Sequence, residues 1–363
     1  MMSVQEYKCP NCSGALPFDS ASGKMKCPYC EAEFDAEALD VWNKSRQGTE
    51  EEKTEWETYD KSDGRGEWQE GELESLVFNE CPSCGAAVAG DQNTIAICCP
   101  YCGNSNIVKA QISGILKPDY VIPFKLDKAA AIKALESFQK GKFLLPPSFK
   151  TGNRIEKMQA VYVPFWLFDC NAEGKITYRA TKVSSWSSGN YNFTKTDTYL
   201  CTREGEMFFE KVPADGSKHM DDELMDSLEP YDFSTMMDFN TAYLSGFLAE
   251  KYDVDAEENK ERVSKRIRTS VEQIFARDIT GYTSVQPAAK NINLKHGKIH
   301  YALLPVWMVT TVYQGKKFVF ALNGQNGRLA GTLPVSKGRS ALMIFSLFAA
   351  FTAVFSIIAR FIF

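Results

Sequence analysis

Two stretches, "CPNCSGALPFDSASGKMKCPYC" at Cys9 to Cys30 and "CPSCGAAVAGDQNTIAICCPYC" at Cys81 to Cys102, share the spacing C-x2-C-x14-C-x2-C. Each Cys-Pro-x-Cys pair can turn two thiolates to one side, and the fourteen residues between pairs allow a hairpin that brings both pairs around one tetrahedral ion. The expected ligands are Cys9, Cys12, Cys27 and Cys30 for one zinc, and Cys81, Cys84, Cys99 and Cys102 for a second. Four sulfurs close the coordination sphere, so both sites read as structural, with metal replacing the core that units this short lack. Gly85 and Gly103 follow the second Cys of each pair in the later copy, where a residue without Cβ eases the approach of backbone amides to sulfur. Ser13 and Glu31 stand at those places in the earlier copy. Cys98 offers a register shifted by one, but only Cys99 keeps both the spacing and Cys-Pro-Tyr-Cys. Cys98, Cys170 and Cys201 are therefore expected to be packed or free thiols.

Eleven cysteines in 363 residues are an odd number, and eight sit in C-x2-C pairs, which favours metal in a reducing compartment over a secreted disulfide framework. The start, "MMSVQEYKCPNC", has no apolar run after a basic segment and does not read as a secretory signal. Near the other end, "ALMIFSLFAAFTAVFSIIA" runs for nineteen residues without a charge, about the length that spans a bilayer as a helix. Lys337 and Arg339 precede it and only Arg360 follows, so the expected arrangement is a single-pass cell-membrane protein with its bulk in the cytoplasm. The net charge of -5 supplies no basic excess for a phosphate backbone and weighs against nucleic-acid binding.

The expected domains are a zinc ribbon over 1–34, an acidic linker over 35–76, a second ribbon over 77–110, an α+β domain over 111–336 and a transmembrane anchor over 340–363. Trp42, Trp56 and Trp68 are unusual for a solvated linker. The α+β domain is expected to be antiparallel and β-rich with two inserted helices and an internal repeat. "VPFWLFDCNAEGK" at Val163 to Lys175 aligns with "LPVWMVTTVYQGK" at Leu304 to Lys316, matching Pro164, Trp166, Gly174 and Lys175 to Pro305, Trp307, Gly315 and Lys316. Each copy reads as a hairpin turning at Gly-Lys, with the tryptophan as a core anchor. Asp127 can cap "KAAAIKALESFQK", and a longer helix starts near Asp255 with Val263, Ile267, Val271 and Ile274 as its apolar stripe. The sequence lacks G-x-x-x-x-G-K-[ST], G-x-S-x-G and H-E-x-x-H, and it offers no catalytic residues, so no enzymatic activity is expected.

The clips, together with "VIPFKLDKAAAIKAL", "VYVPFWLFD", "MDSLEPYDF", "AYLSGFLAEKYDV" and "LLPVWMVTTVYQGKKFVFALNGQNGRLAG", make the chain similar to a bacterial family of membrane proteins with zinc ribbons of the transcription factor IIB type. The resemblance covers nearly the whole chain. It implies eight zinc ligands and no catalytic residues. It also implies an adaptor or platform in a membrane-stress system: with a second membrane protein, it would hold an SPFH (flotillin-like) protein that brings the phage-shock protein PspA to the membrane.

Overall fold

The structure, a computed structural model, describes residues 7–47, 52–59, 66–91, 98–105, 107–109, 115–152 and 157–362. Parts of the expected linker (48–51 and 60–65) and of the interior of the second clip (92–97) lie outside the described residues. Strands β1 (Phe18–Asp19), β2 (Lys24–Lys26) and β3 (Glu33–Phe34) precede helix α1 (Ala36–Gln47) and strand β4 (Thr54–Trp56). Strands β5 (Leu76–Glu80), β6 (Ala87–Asp91), β7 (Val108–Lys109) and β8 (Tyr120–Val121) lead to helices α2 (Lys128–Gln139) and α3 (Pro147–Gly152). Then come β9 (Gln159–Ser188), β10 (Tyr191–Asp215), α4 (Asp222–Asp226), β11 (Met237–Asp238), β12 (Leu248–Glu250) and α5 (Ala256–Arg277). Strands β13 (Ser284–Tyr313), β14 (Lys316–Asn323), β15 (Leu329–Gly331) and helix α6 (Lys337–Ile362) complete the chain. The class is α+β and mostly sheet, as the alternating aromatic and β-branched runs imply.

The chain forms two compact units, and the long strands β9, β10 and β13 contribute to both. The smaller unit takes Met1–Glu57, Phe168–Val212 and Lys260–Lys298. Its first ribbon is a three-stranded sheet, with Phe18 opposite Met25 and Met25 opposite Phe34. The expected linker begins instead as α1, whose Leu39 is buried with Cys9, Leu16, Met25 and Cys27 in a small core. In β4, Trp56 donates its indole N–H to Ser264 Oγ at 2.9 Å and sets its edge against Phe168. The acidic composition signals solvation, but the buried Trp42 and the packed Trp56 gain more by leaving water.

The long strands depart from the expected first hairpin. The chain does not turn at Gly174–Lys175, because β9 passes straight through them and the first hairpin turns at Gly189 and Asn190. Gly174 serves packing: a Cβ there would lie 3.0 Å from Val271 and 3.1 Å from Phe275 of α5. Helix α5 thus rests on the sheet through Val263, Ile267, Val271 and Phe275, while Ile274 faces outward.

The larger unit takes Thr58–Leu167, Pro213–Asn259 and Ile299–Phe363. Its strands pair in the order β11-β8-β13-β9-β12-β6-β5-β7, with β14 on β13 and β15 on β14. Here the Pro-x-Trp repeat proves deeper than the tryptophans alone. The backbone N–H of Gly216 donates to Pro164 O at 2.8 Å, and that of Gly324 donates to Pro305 O at 2.9 Å. Gly216 O then accepts from Asp253 and Val254, while Gly324 O accepts from Lys125 and Leu126. Each indole closes the loop across copies: Trp166 donates to Val254 O at 2.9 Å, and Trp307 donates to Leu126 O at 3.0 Å. Both accepting carbonyls sit one residue before a helix N-cap, Asp255 for α5 and Asp127 for α2, each of which caps its own first turn. Strand β8 lies parallel to β13, and β12 lies parallel to β9. The two copies therefore exchange their strand-to-helix turns.

Helix α6 is long and apolar enough to cross a membrane, and none of its apolar window is buried within the protein. Residues Lys337–Arg360 meet that test, by length and composition.

The exchanged bonds predict matched effects for two distant substitutions. Trp166→Phe and Trp307→Phe keep a ring but orphan a carbonyl at a helix start, so each should destabilise the full chain by about 1–3 kcal/mol. Denaturant unfolding in detergent checks this, and a large loss at one site with none at the other would contradict the equivalence.

Candidate metal centres

Each Cys-Pro-x-Cys segment folds into the same turn. The N–H of the residue after the second Cys donates back to the first Cys carbonyl: Ser13 to Cys9 at 2.8 Å, Glu31 to Cys27 at 3.0 Å, Gly85 to Cys81 at 2.8 Å and Gly103 to Cys99 at 2.9 Å. The first Cys N–H in turn donates to Gly14 O, Ala32 O, Ala86 O and Asn104 O in the same order. That turn demands a left-handed residue after the second Cys, and all four adopt one, with φ of 63° at Ser13, 58° at Glu31, 79° at Gly85 and 74° at Gly103. The first centre therefore reaches the geometry of the second at the steric cost of a Cβ in that region.

The turns bring Cys9, Cys12, Cys27 and Cys30 together, and likewise Cys81, Cys84, Cys99 and Cys102, with all sulfurs of a group within 4.8 Å of one another. The sulfurs of Cys9 and Cys30 are 3.6 Å apart, Cys12 and Cys27 3.4 Å, Cys81 and Cys102 3.5 Å, and Cys84 and Cys99 3.6 Å. A tetrahedral ion with sulfur bonds of about 2.3 Å needs edges of about 3.8 Å, so each quartet can hold one metal ion with little movement.

Burial raises the thiols unevenly. It pushes Cys84 up to about 11 and Cys99 further. At Cys102 burial also acts upward, but the Asn104 amide and the neighbouring sulfurs outweigh it and leave the thiol at about 7. At Cys27 burial is likewise outweighed, by the amides of Cys30 and Tyr29 and then by Cys12, down to about 6. Backbone amides aimed at sulfur favour thiolate, the form that binds metal.

The two centres differ in what surrounds them. In the first, Cys9 and Cys27 are buried but Cys12 and Cys30 are exposed. Arg179 of β9 reaches its knuckle, donating to Pro10 O at 3.2 Å. In the second, Cys81, Cys99 and Cys102 are buried and belong to the main core with Val88, Val163, Phe165 and Met308. Thr310 Oγ1 donates to Pro100 O at 2.7 Å, and Gln159 Nε2 donates to Cys98 O at 2.9 Å. Tyr101, between the paired cysteines, donates its hydroxyl to Glu250, which also accepts from Ser217 at 2.7 Å. Burial pushes Glu250 up to about 8, with Asp253 and Asp215 adding to the effect. The Tyr101–Glu250–Ser217 brace carries no motif and was invisible in the sequence. The expected non-ligands stand apart from both quartets: Cys98 beside Gln159, Cys170 buried, and Cys201 near the Tyr282 hydroxyl.

Paired four-cysteine centres, an α+β body and a terminal helix able to span a bilayer define the class of this protein. The chain belongs to the YdjG family. It is 35% identical over 338 residues to the uncharacterized protein YdjG of Bacillus subtilis (strain 168), a match that takes in 93% of this chain and 92% of that one. No family model matches the sequence, and no solved structure matches it.

Left-handed geometry predicts opposite effects at the two centres. A Cβ on Gly85 would meet nothing within 4 Å, and one on Gly103 only Thr310 at 3.7 Å. The cost of Gly85→Ala or Gly103→Ala is therefore backbone strain of about 1–2 kcal/mol, read as faster metal loss to a chelator. Ser13→Gly and Glu31→Gly should slow loss from the first centre, by roughly fivefold each. Unchanged release in all four variants would contradict the shared turn.

Proposed function

We propose that this protein is a membrane-anchored cytoplasmic adaptor whose four-cysteine centres hold two structural zinc ions and whose folded body recruits protein partners. Those partners are an SPFH-type protein, a PspA-like protein and a second membrane protein of an envelope-stress complex. The observation that carries the reading is the coexistence, in one chain, of two closed four-thiolate centres and a terminal apolar helix that the protein itself leaves uncovered. Thiolate quartets select zinc among common divalent ions, and four of them leave no position for substrate or water, which supports a structural and non-catalytic role. Eleven free cysteines suit a reducing compartment.

A protein surface suits the first ribbon better than a nucleic-acid backbone does. Its Lys24 lies 3.8 Å from Asp35 and its Lys26 3.3 Å from Glu33, so both lysines of the β2 hairpin already face carboxylates. The tagged full chain, cross-linked and solubilised from membranes under envelope stress, should bring down SPFH-type and PspA-like proteins. Recovery of nuclease-sensitive nucleic acid with neither protein would overturn the reading.

A further inference from the structure

The foot of α6 carries a cavity of about 610 Å3, between the turn joining β13 to β14 and the segment that enters the helix. Lys316 and Gln314 line one side, Ser336 and Lys337 the other, and no carboxylate among the described residues lines it. Neither Lys316 nor Lys337 pairs with a carboxylate among the described residues, so a chain of net charge -5 presents a locally positive hollow here. The helix is fixed beside the hollow: Arg339 donates to Phe143 O at 2.9 Å and Leu145 O at 3.0 Å, and Ser336 N donates to Leu144 O at 2.8 Å. Exposed Val335 lines it with apolar surface, and exposed Phe143 lies 5.6 Å from the Arg339 guanidinium that fixes the helix.

Depth supplies the ligand. The charge-free run begins at Ser340, and a helix rises about 1.5 Å per residue, so Lys337 stands only about 5 Å outside the hydrocarbon. That is the layer of lipid phosphates, and basic side chains with apolar neighbours are the groups that settle there. We infer that this cavity binds the headgroup of an anionic phospholipid, with the Lys316 and Lys337 ammonium groups on the phosphate. The Ser336 hydroxyl, whose oxygen already accepts from Arg339 N at 3.4 Å, turns its proton to a lipid oxygen. The inference rests on the reading of α6 as a membrane span.

The full chain, inserted in nanodiscs mixing phosphatidylcholine with phosphatidylglycerol and then extracted, should retain phosphatidylglycerol in roughly tenfold preference, as counted by native mass spectrometry. Lys316→Gln with Lys337→Gln should abolish the preference while both metal centres stay loaded and the chain stays inserted. An unchanged preference in that variant, or none in the inserted wild-type chain, would overturn the site. Displacement by inorganic phosphate would assign it to a soluble anion and overturn the lipid. Failure to insert, or release by alkaline carbonate, would overturn the span and the site together.

Discussion

Four sulfurs within 4.8 Å of one another in an apolar interior set the terms for the larger unit. Thiolates so close repel strongly, and burial disfavours each charge, which is why Cys84 and Cys99 are driven upward. A divalent cation reverses both effects at once. Because Cys81, Cys99 and Cys102 share a core with Val163, Phe165 and Met308, a cation held there would support that core directly, and β5 and β6 enter the main sheet from the cysteine turns. The first centre lacks this dependence. Its small core closes on Leu39 of α1, and two of its cysteines face solvent.

The second organising fact is the exchange between repeat copies. Trp166 in the first copy bonds the carbonyl at the start of α5, which leads into the second copy, and Trp307 in the second bonds the carbonyl at the start of α2, which precedes the first. Such crossing couples residues far apart in sequence. It favours one cooperative body over two separable halves.

The cysteine centres were legible because their chemistry is local: spacing alone selects Cys99 over Cys98 and fixes the eight side chains that converge. Helices α2 and α5 were legible from period and cap, down to Asp127 and Asp255, whereas α1 was hidden in the acidic stretch. Gly174 misled because a glycine in a strand can mark a turn or a close approach, and only the position of α5 decides between them. The docking of Trp42 and Trp56 was hidden by the acidic residues around them. Glu250 reads as an ordinary charged residue until Tyr101 and Ser217, each far away in sequence, meet it in the core.

The two centres thus divide the work of one metal chemistry: one closes a small exposed ribbon, the other completes the body that stands next to the terminal helix in the chain. Hydrogen exchange on the full chain, comparing Cys99→Ser with Cys27→Ser, tests this division most directly. The account predicts that Cys99→Ser deprotects β5, β6, β12 and the Val161–Leu167 stretch of β9 together, while Cys27→Ser deprotects only residues 7–47. Protection of β9 and β12 that survives the loss of Cys99 would contradict it.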